Sequence, residues 1–203
     1  MKLALVVLLA AGGVLLAACG GASPAIRYYQ LAAVGADAPH TGDKVIVVES
    51  LASDAAYDDE RIVYRNGPYR LDYYNYHRWS SPPGALVGGY LEKALARTGD
   101  FKAVVRDQTS DAAMIVGGHV TALEEVDSDR QHWVGRIALE LTLTDPKTGG
   151  IVWTQAFEET EPMLAQTPEG LARAISTALS RIATKAAPMI AEHANAPEAT
   201  ATK

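Results

Sequence analysis

The chain has 203 residues, 48% of them apolar and 21% charged, with a formal net charge of −6. That size suits one domain with a substantial core. The charge lacks the basic footprint of a nucleic-acid-binding protein and excludes adhesion to anionic headgroups by charge alone.

Lys2 precedes an uncharged apolar run over residues 3–18. The run is shorter than the ~20 residues a spanning helix needs and fits the h-region of a signal peptide. It ends in Leu16-Ala17-Ala18-Cys19, followed by Gly20-Gly21. Cys19 is the sole cysteine, so an intrachain disulfide is excluded. Small residues ahead of a cysteine at this point resemble the bacterial lipobox. That resemblance implies cleavage before Cys19, with lipid on its sulfur and on the new amino terminus. The bland alternative is an ordinary signal peptide with an incidental thiol. Gly20 in place of Asp implies, by resemblance to enterobacterial sorting, the periplasmic face of the outer membrane. The expected organisation is a signal peptide over 1–18, a lipidated tether over 19–25, one domain over 26–192 and a disordered tail over 193–203.

Residues 27–31 and the β-branched run 44–49 predict the first two strands, with 51–60 a loop. Residues 61–65 and 69–74 flank Asn66-Gly67-Pro68 and predict a hairpin. Leu86, Val87, Tyr90, Leu91, Ala94 and Leu95 recur at helical spacing, giving a helix over 83–97 that Gly99 stops. Strands follow over 101–106, 113–124, 133–144 and 151–158, the last three forming an antiparallel meander. Gly117-Gly118 within a strand predicts a bulge or a close backbone approach. Thr167-Pro168 caps a final helix carrying Leu171, Ile175, Leu179 and Ile182, with fraying expected near Pro188. The expected fold is α+β: a mostly antiparallel sheet with two helices packed on one face.

Aromatic residues are only 7% of the chain, yet six fall between Tyr64 and Trp79. Two readings apply to them. They pack the sheet edge against the first helix, or they form a docking surface, since Tyr, Trp and Arg are enriched at interface hot spots. Tyr73 and Tyr74 are neighbours and must face opposite sides of a strand. Arg61, Arg65, Arg70 and Arg78 have Asp58, Asp59, Glu60 and Asp72 as local partners, or form a solvated rim.

The run Val63-Tyr64-Arg65, Pro68-Tyr69-Arg70-Leu71, Tyr73-Tyr74, Tyr76, Arg78-Trp79 and Pro82-Pro83 resembles the signature of the ABC-type transport auxiliary lipoproteins (PqiC-like), which are associated with MCE-domain lipid transport systems. The early Tyr28-Tyr29-Gln30-Leu31 fits as well. The resemblance implies a non-enzymatic lipoprotein with no cofactor. It would dock or stabilise a periplasmic MCE assembly at the outer membrane for intermembrane lipid trafficking. It also implies a partner surface drawn from Tyr64, Arg65, Tyr69, Arg70, Tyr73, Tyr74, Tyr76, Arg78 and Trp79. A homo-oligomeric ring around an MCE conduit would suit that role. The alternative is a lipid carrier with a cavity between sheet and helices; a tight Leu, Ile and Val core favours docking.

Signals for chemistry are thin. The five histidines lack metal-site spacing. His77 lies near Ser80 and Ser81 without a nucleophile elbow. Asp58-Asp59-Glu60 lacks the alternating ligands of a calcium loop and reads as a solvated segment. No phosphate-binding Gly-x-x-x-x-Gly-Lys run occurs, so nucleotide hydrolysis would belong to another subunit.

Overall fold

One long strand organises the sheet, and the sheet positions everything else. A computed structural model describes residues 24–32, 35–127, 129 and 131–196. The expected signal peptide, Cys19 and residues 197–203 of the expected tail lie outside the described residues. The elements in chain order are β1 (Arg27–Tyr29), β2 (Val45–Val48), β3 (Ala52–Ser53), a 3-10 turn (Ala55–Tyr57), β4 (Arg61–Arg65), β5 (Leu71–Trp79) and α1 (Pro83–Thr98). Then come β6 (Ala103–Val105), β7 (Ala112–Asp127), β8 (Trp133–Thr144), β9 (Ile151–Pro162) and α2 (Pro168–Asn195).

The expected hairpin forms as antiparallel β4–β5, and the meander forms as β7–β8–β9. The sheet as a whole is mixed, which corrects the mostly antiparallel expectation. Along one side of β7 run β2, β3 and β4 in succession, each parallel to it, with Val48 opposite Val116, Ala52 opposite His119 and Val63 opposite Glu124. β2–β6 and β1–β5 are parallel too. Parallel pairs need a long crossover, and the segment from β5 through α1 to β6 supplies it between β4 and β7. Strand composition does not encode the direction of a distant partner, so the sequence pattern missed it.

Both helices lie on one face of the sheet and touch β7 as well as each other. Tyr90 of α1 donates its hydroxyl to the Ser176 carbonyl of α2 at 2.6 Å. Leu91, Leu95, Leu123, Ile137, Leu139, Leu141, Leu143, Leu171, Ile175 and Leu179 are fully buried in a single core. Burial of one such side chain contributes about 1.5–3 kcal/mol. The predicted end signals hold: Thr167 accepts from the Gly170 amide at 3.1 Å with Pro168 in the first turn, and Gly99 ends α1 at φ 78°. A Cβ on Gly118 would sit 2.0 Å from the Glu140 carbonyl oxygen, the close approach expected of that pair. The last helix continues through Pro188 to Asn195. Buried Ile190 and Ala194 hold the turns beyond the proline, so His193–Asn195 are helical where a tail was expected.

Candidate functional site

The hairpin tip projects away from the core. Tyr69 is 100% exposed, and the neighbouring Arg70 is exposed apart from a 3.3 Å pair with Asp72. Gly67 and Pro68 explain why the ladder stops there: the ring removes a donor, and the glycine tolerates a tight turn.

Behind the tip the two faces of the hairpin differ. In register, Tyr64 opposes Asp72 across β4–β5 and Glu125 across β4–β7. Paired residues share a face. Glu125 opposes Gly135, whose missing Cβ would lie 3.0 Å from the Ala174 methyl of α2, so this is the helix-covered face. Here Tyr64, Tyr74, His77 and Tyr29 form a string of rings with centroids 5.2, 5.5 and 5.5 Å apart, ending in a 2.7 Å hydrogen bond between the Tyr29 hydroxyl and His77 Nδ1. Such edge-on and tilted contacts contribute about 0.5–1.5 kcal/mol each. On the opposite face, Arg61 lies 4.1 Å over the Tyr73 ring and pairs with Asp59 at 2.9 Å. Arg78 reaches the same carboxylate at 3.8 Å. Extra residues in β5 between the Val63–Tyr73 and Arg61–Arg78 pairs return Arg78 to the face of Arg61.

Two consecutive buried carboxylates of β7 sit beneath these faces. Glu124 accepts hydrogen bonds from the Tyr57 hydroxyl at 2.7 Å, Arg65 Nε at 3.1 Å and Arg136 Nη1 at 2.7 Å. Burial alone would raise its pKa, but these donors outweigh burial and hold the carboxyl below the ordinary glutamate value. Burial and the neighbouring Glu124 push the Tyr57 hydroxyl up to about 12. Glu125 points the other way and accepts a bond from the Tyr74 hydroxyl at 2.9 Å, while Oε2 has no hydrogen-bond partner among the described residues. Burial, helped by Asp127, keeps its pKa above the ordinary value against the Tyr74 hydrogen bond. Burial and the Glu125 charge raise Tyr74 in turn.

The family description "ABC-type transport auxiliary lipoprotein component" matches residues 29–187, which contain eight of the nine strands in full, all of α1 and most of α2. The chain belongs to this family. Its fold is similar to that of protein XCC0632 from Xanthomonas campestris (18% identity, TM-score 0.69, 82% of this chain and 96% of that one). A second crystal structure, of an uncharacterized protein, matches at 15% identity and TM-score 0.67 over 82% of this chain and 99% of that one. The PelC dodecamer from Paraburkholderia phytofirmans matches at 17% identity and TM-score 0.44, over 73% of this chain and 92% of that one. Among curated proteins no sequence match was found.

In this auxiliary lipoprotein the residues expected to bind a partner fall into three groups. Tyr69, Arg70 and Tyr76 are exposed; Tyr64, Tyr73, Tyr74, Arg65 and Arg78 are half-buried. Trp79 is 0% exposed and belongs to the core, so it supports the hairpin from beneath and offers a partner nothing directly. The local pairs Arg61–Asp59, Arg70–Asp72 and Arg78–Asp59 form as the charge pattern suggested. Arg65 does not join them, because the buried Glu124, diagonally across the β4–β7 ladder, is the better fixed partner. Glu124, Glu125, Tyr57 and Arg136 were missed. Their signal was present: two acids close an apolar strand at Ala122-Leu123-Glu124-Glu125-Val126, and Arg136 sits on the next predicted strand. Among the described residues no three His, Cys, Asp or Glu converge as metal ligands, and no helix is long and apolar enough to cross a membrane.

Proposed function

We propose that this auxiliary lipoprotein is a non-enzymatic docking subunit of an MCE-type ABC lipid transporter. Acyl chains on Cys19 anchor it to the periplasmic face of the outer membrane. It holds the periplasmic MCE assembly through the hairpin. The observation that carries the docking role is a fully exposed Tyr69 beside Arg70, on a tip backed by the ring string and by the Arg61–Tyr73–Asp59 cluster. A rigidly backed aromatic and arginine pair loses little freedom when a partner covers it. The lipoprotein family and the presence of one cysteine direct lipidation to Cys19.

The space between sheet and helices is filled by large buried Leu and Ile side chains, which favours docking over a ligand carrier. The test is recovery of the acylated protein from its own cells in mild detergent, with bound proteins and lipids both identified. An MCE-domain protein without stoichiometric lipid, lost when Tyr69→Ala and Arg70→Glu are combined, is the expected result. One lipid per chain without such a partner would replace docking with carriage.

A further inference from the structure

We infer that the β1 edge of the sheet lies on the phospholipid bilayer as a second contact beside the acyl anchor; this rests on the lipidation of Cys19 proposed above. Ile26, Tyr28 and Tyr76 are 45%, 60% and 42% exposed, although all are large and apolar. Tyr28 opposes Arg78 in the β1–β5 register, Tyr76 precedes Arg78 by two residues, and Ile26 precedes Tyr28 by two. Ile26 and Tyr28 share a face by alternation, and exposed Tyr76 lies in the β5 segment beside them, so the three gather along the β1 edge of the sheet. A groove of about 490 Å³ adjoins it between β1 and the first half of α2, with Tyr28, Tyr29, Ala32, Ala172, Glu169 and Arg173 among its lining residues.

Tether length decides what covers this patch. The seven residue steps from Cys19 to Ile26 span at most about 25 Å even fully extended. A domain of this size is roughly 40 Å across. The patch is therefore held near the lipid surface at all times, where lipid is the most abundant neighbour. Its chemistry fits: a tyrosine places its ring among acyl carbons and its hydroxyl among headgroups. Arg173, exposed, lines the adjoining groove beside Glu169 and can turn its guanidinium toward lipid phosphates at the rim.

The experiment places the acylated full chain in vesicles of phosphatidylethanolamine with a minority of phosphatidylglycerol, doped with a phospholipid carrying a photoreactive diazirine in its acyl chain. Labelled peptides are mapped by mass spectrometry. We expect label on the segments containing Ile26, Tyr28 and Tyr76. In the combined Ile26→Ser, Tyr28→Ser and Tyr76→Ser variant it falls about five-fold, while vesicle flotation and circular dichroism stay unchanged because the anchor and core are untouched. Flotation with label confined to residues 19–25, equal in both proteins, overturns the inference and leaves the anchor standing. Cross-linking of Tyr28 to a second copy in place of lipid also overturns it. A wild-type protein that does not float removes the anchor and the inference together.

Discussion

Glu124 and Glu125 are consecutive, equally buried and carried by the same strand, yet their carboxyl pKa values are moved in opposite directions. Two arginines and a tyrosine surround Glu124, whereas a tyrosine meets Glu125 and its other oxygen finds no donor among the described residues. Burial of a charge costs several kcal/mol unless hydrogen bonds and an opposite charge replace water. Strand alternation alone decides which residue receives them. One face of the hairpin is therefore pinned by ionic contacts and the other by aromatic packing over a carboxyl whose pKa burial raises.

The largest expected effect comes from removing the pinned charge's role. Glu124→Ala leaves Arg65 and Arg136 facing each other across a void and should cost about 3–5 kcal/mol in denaturant unfolding. A loss under 1 kcal/mol would mean that the two arginines find water and that the comparison is false. Trp79→Ala should cost a similar amount, about 3–5 kcal/mol, as a core truncation.

Glu125→Gln is expected to act in the opposite direction, raising stability at pH 8 by on the order of 1 kcal/mol and changing little at pH 4. The signs follow from linkage. The Glu124 pKa is lowered on folding, so its contribution is complete above the ordinary glutamate value and is lost as pH falls through the folded value. The Glu125 pKa is raised, so its contribution is complete below the ordinary value and is lost as pH rises through the folded value. Unfolding curves across pH for Glu124→Gln and Glu125→Gln, each compared with wild type, should therefore tilt oppositely; parallel curves would refute the assignment. Tyr74→Phe removes the hydroxyl that donates to Glu125 and should raise that carboxyl further, at a cost of about 1–2 kcal/mol. Smallest in stability is Tyr69→Ala, expected within about 0.5 kcal/mol of wild type, while partner recovery falls. Equal recovery would move the docking surface away from the tip.

Local signals were readable in the sequence because they are local in physics. Thr167-Pro168 caps α2, Gly99 stops α1, and the hairpin and meander follow from turns and period-two patterning. What escaped were contacts made at a distance. The Arg65–Glu124 pair joins residues 59 positions apart, and nothing in the acids beside Arg65 signals a stronger competitor across the sheet. The parallel placement of β2, β3 and β4 on β7 likewise depends on a crossover that composition does not orient. For the candidate site, the cluster was legible as a cluster. Its division into tip, half-buried faces and core Trp79 required the extra residues in β5 that reset the alternation.

The position of β7 also sets an order of events for a chain that emerges amino-terminus first. β2, β3 and β4 all take their ladder partners from a strand that begins at Ala112, after α1 and β6. Until that strand is available, the run Val45–Val48 and the hairpin wait with open edges, and closing such long loops slows the search. Exposed β-branched edges are the form in which chains pair with the wrong neighbour. For this protein, the interval between release of the first strand and arrival of Asp127 is the window in which it most needs a chaperone.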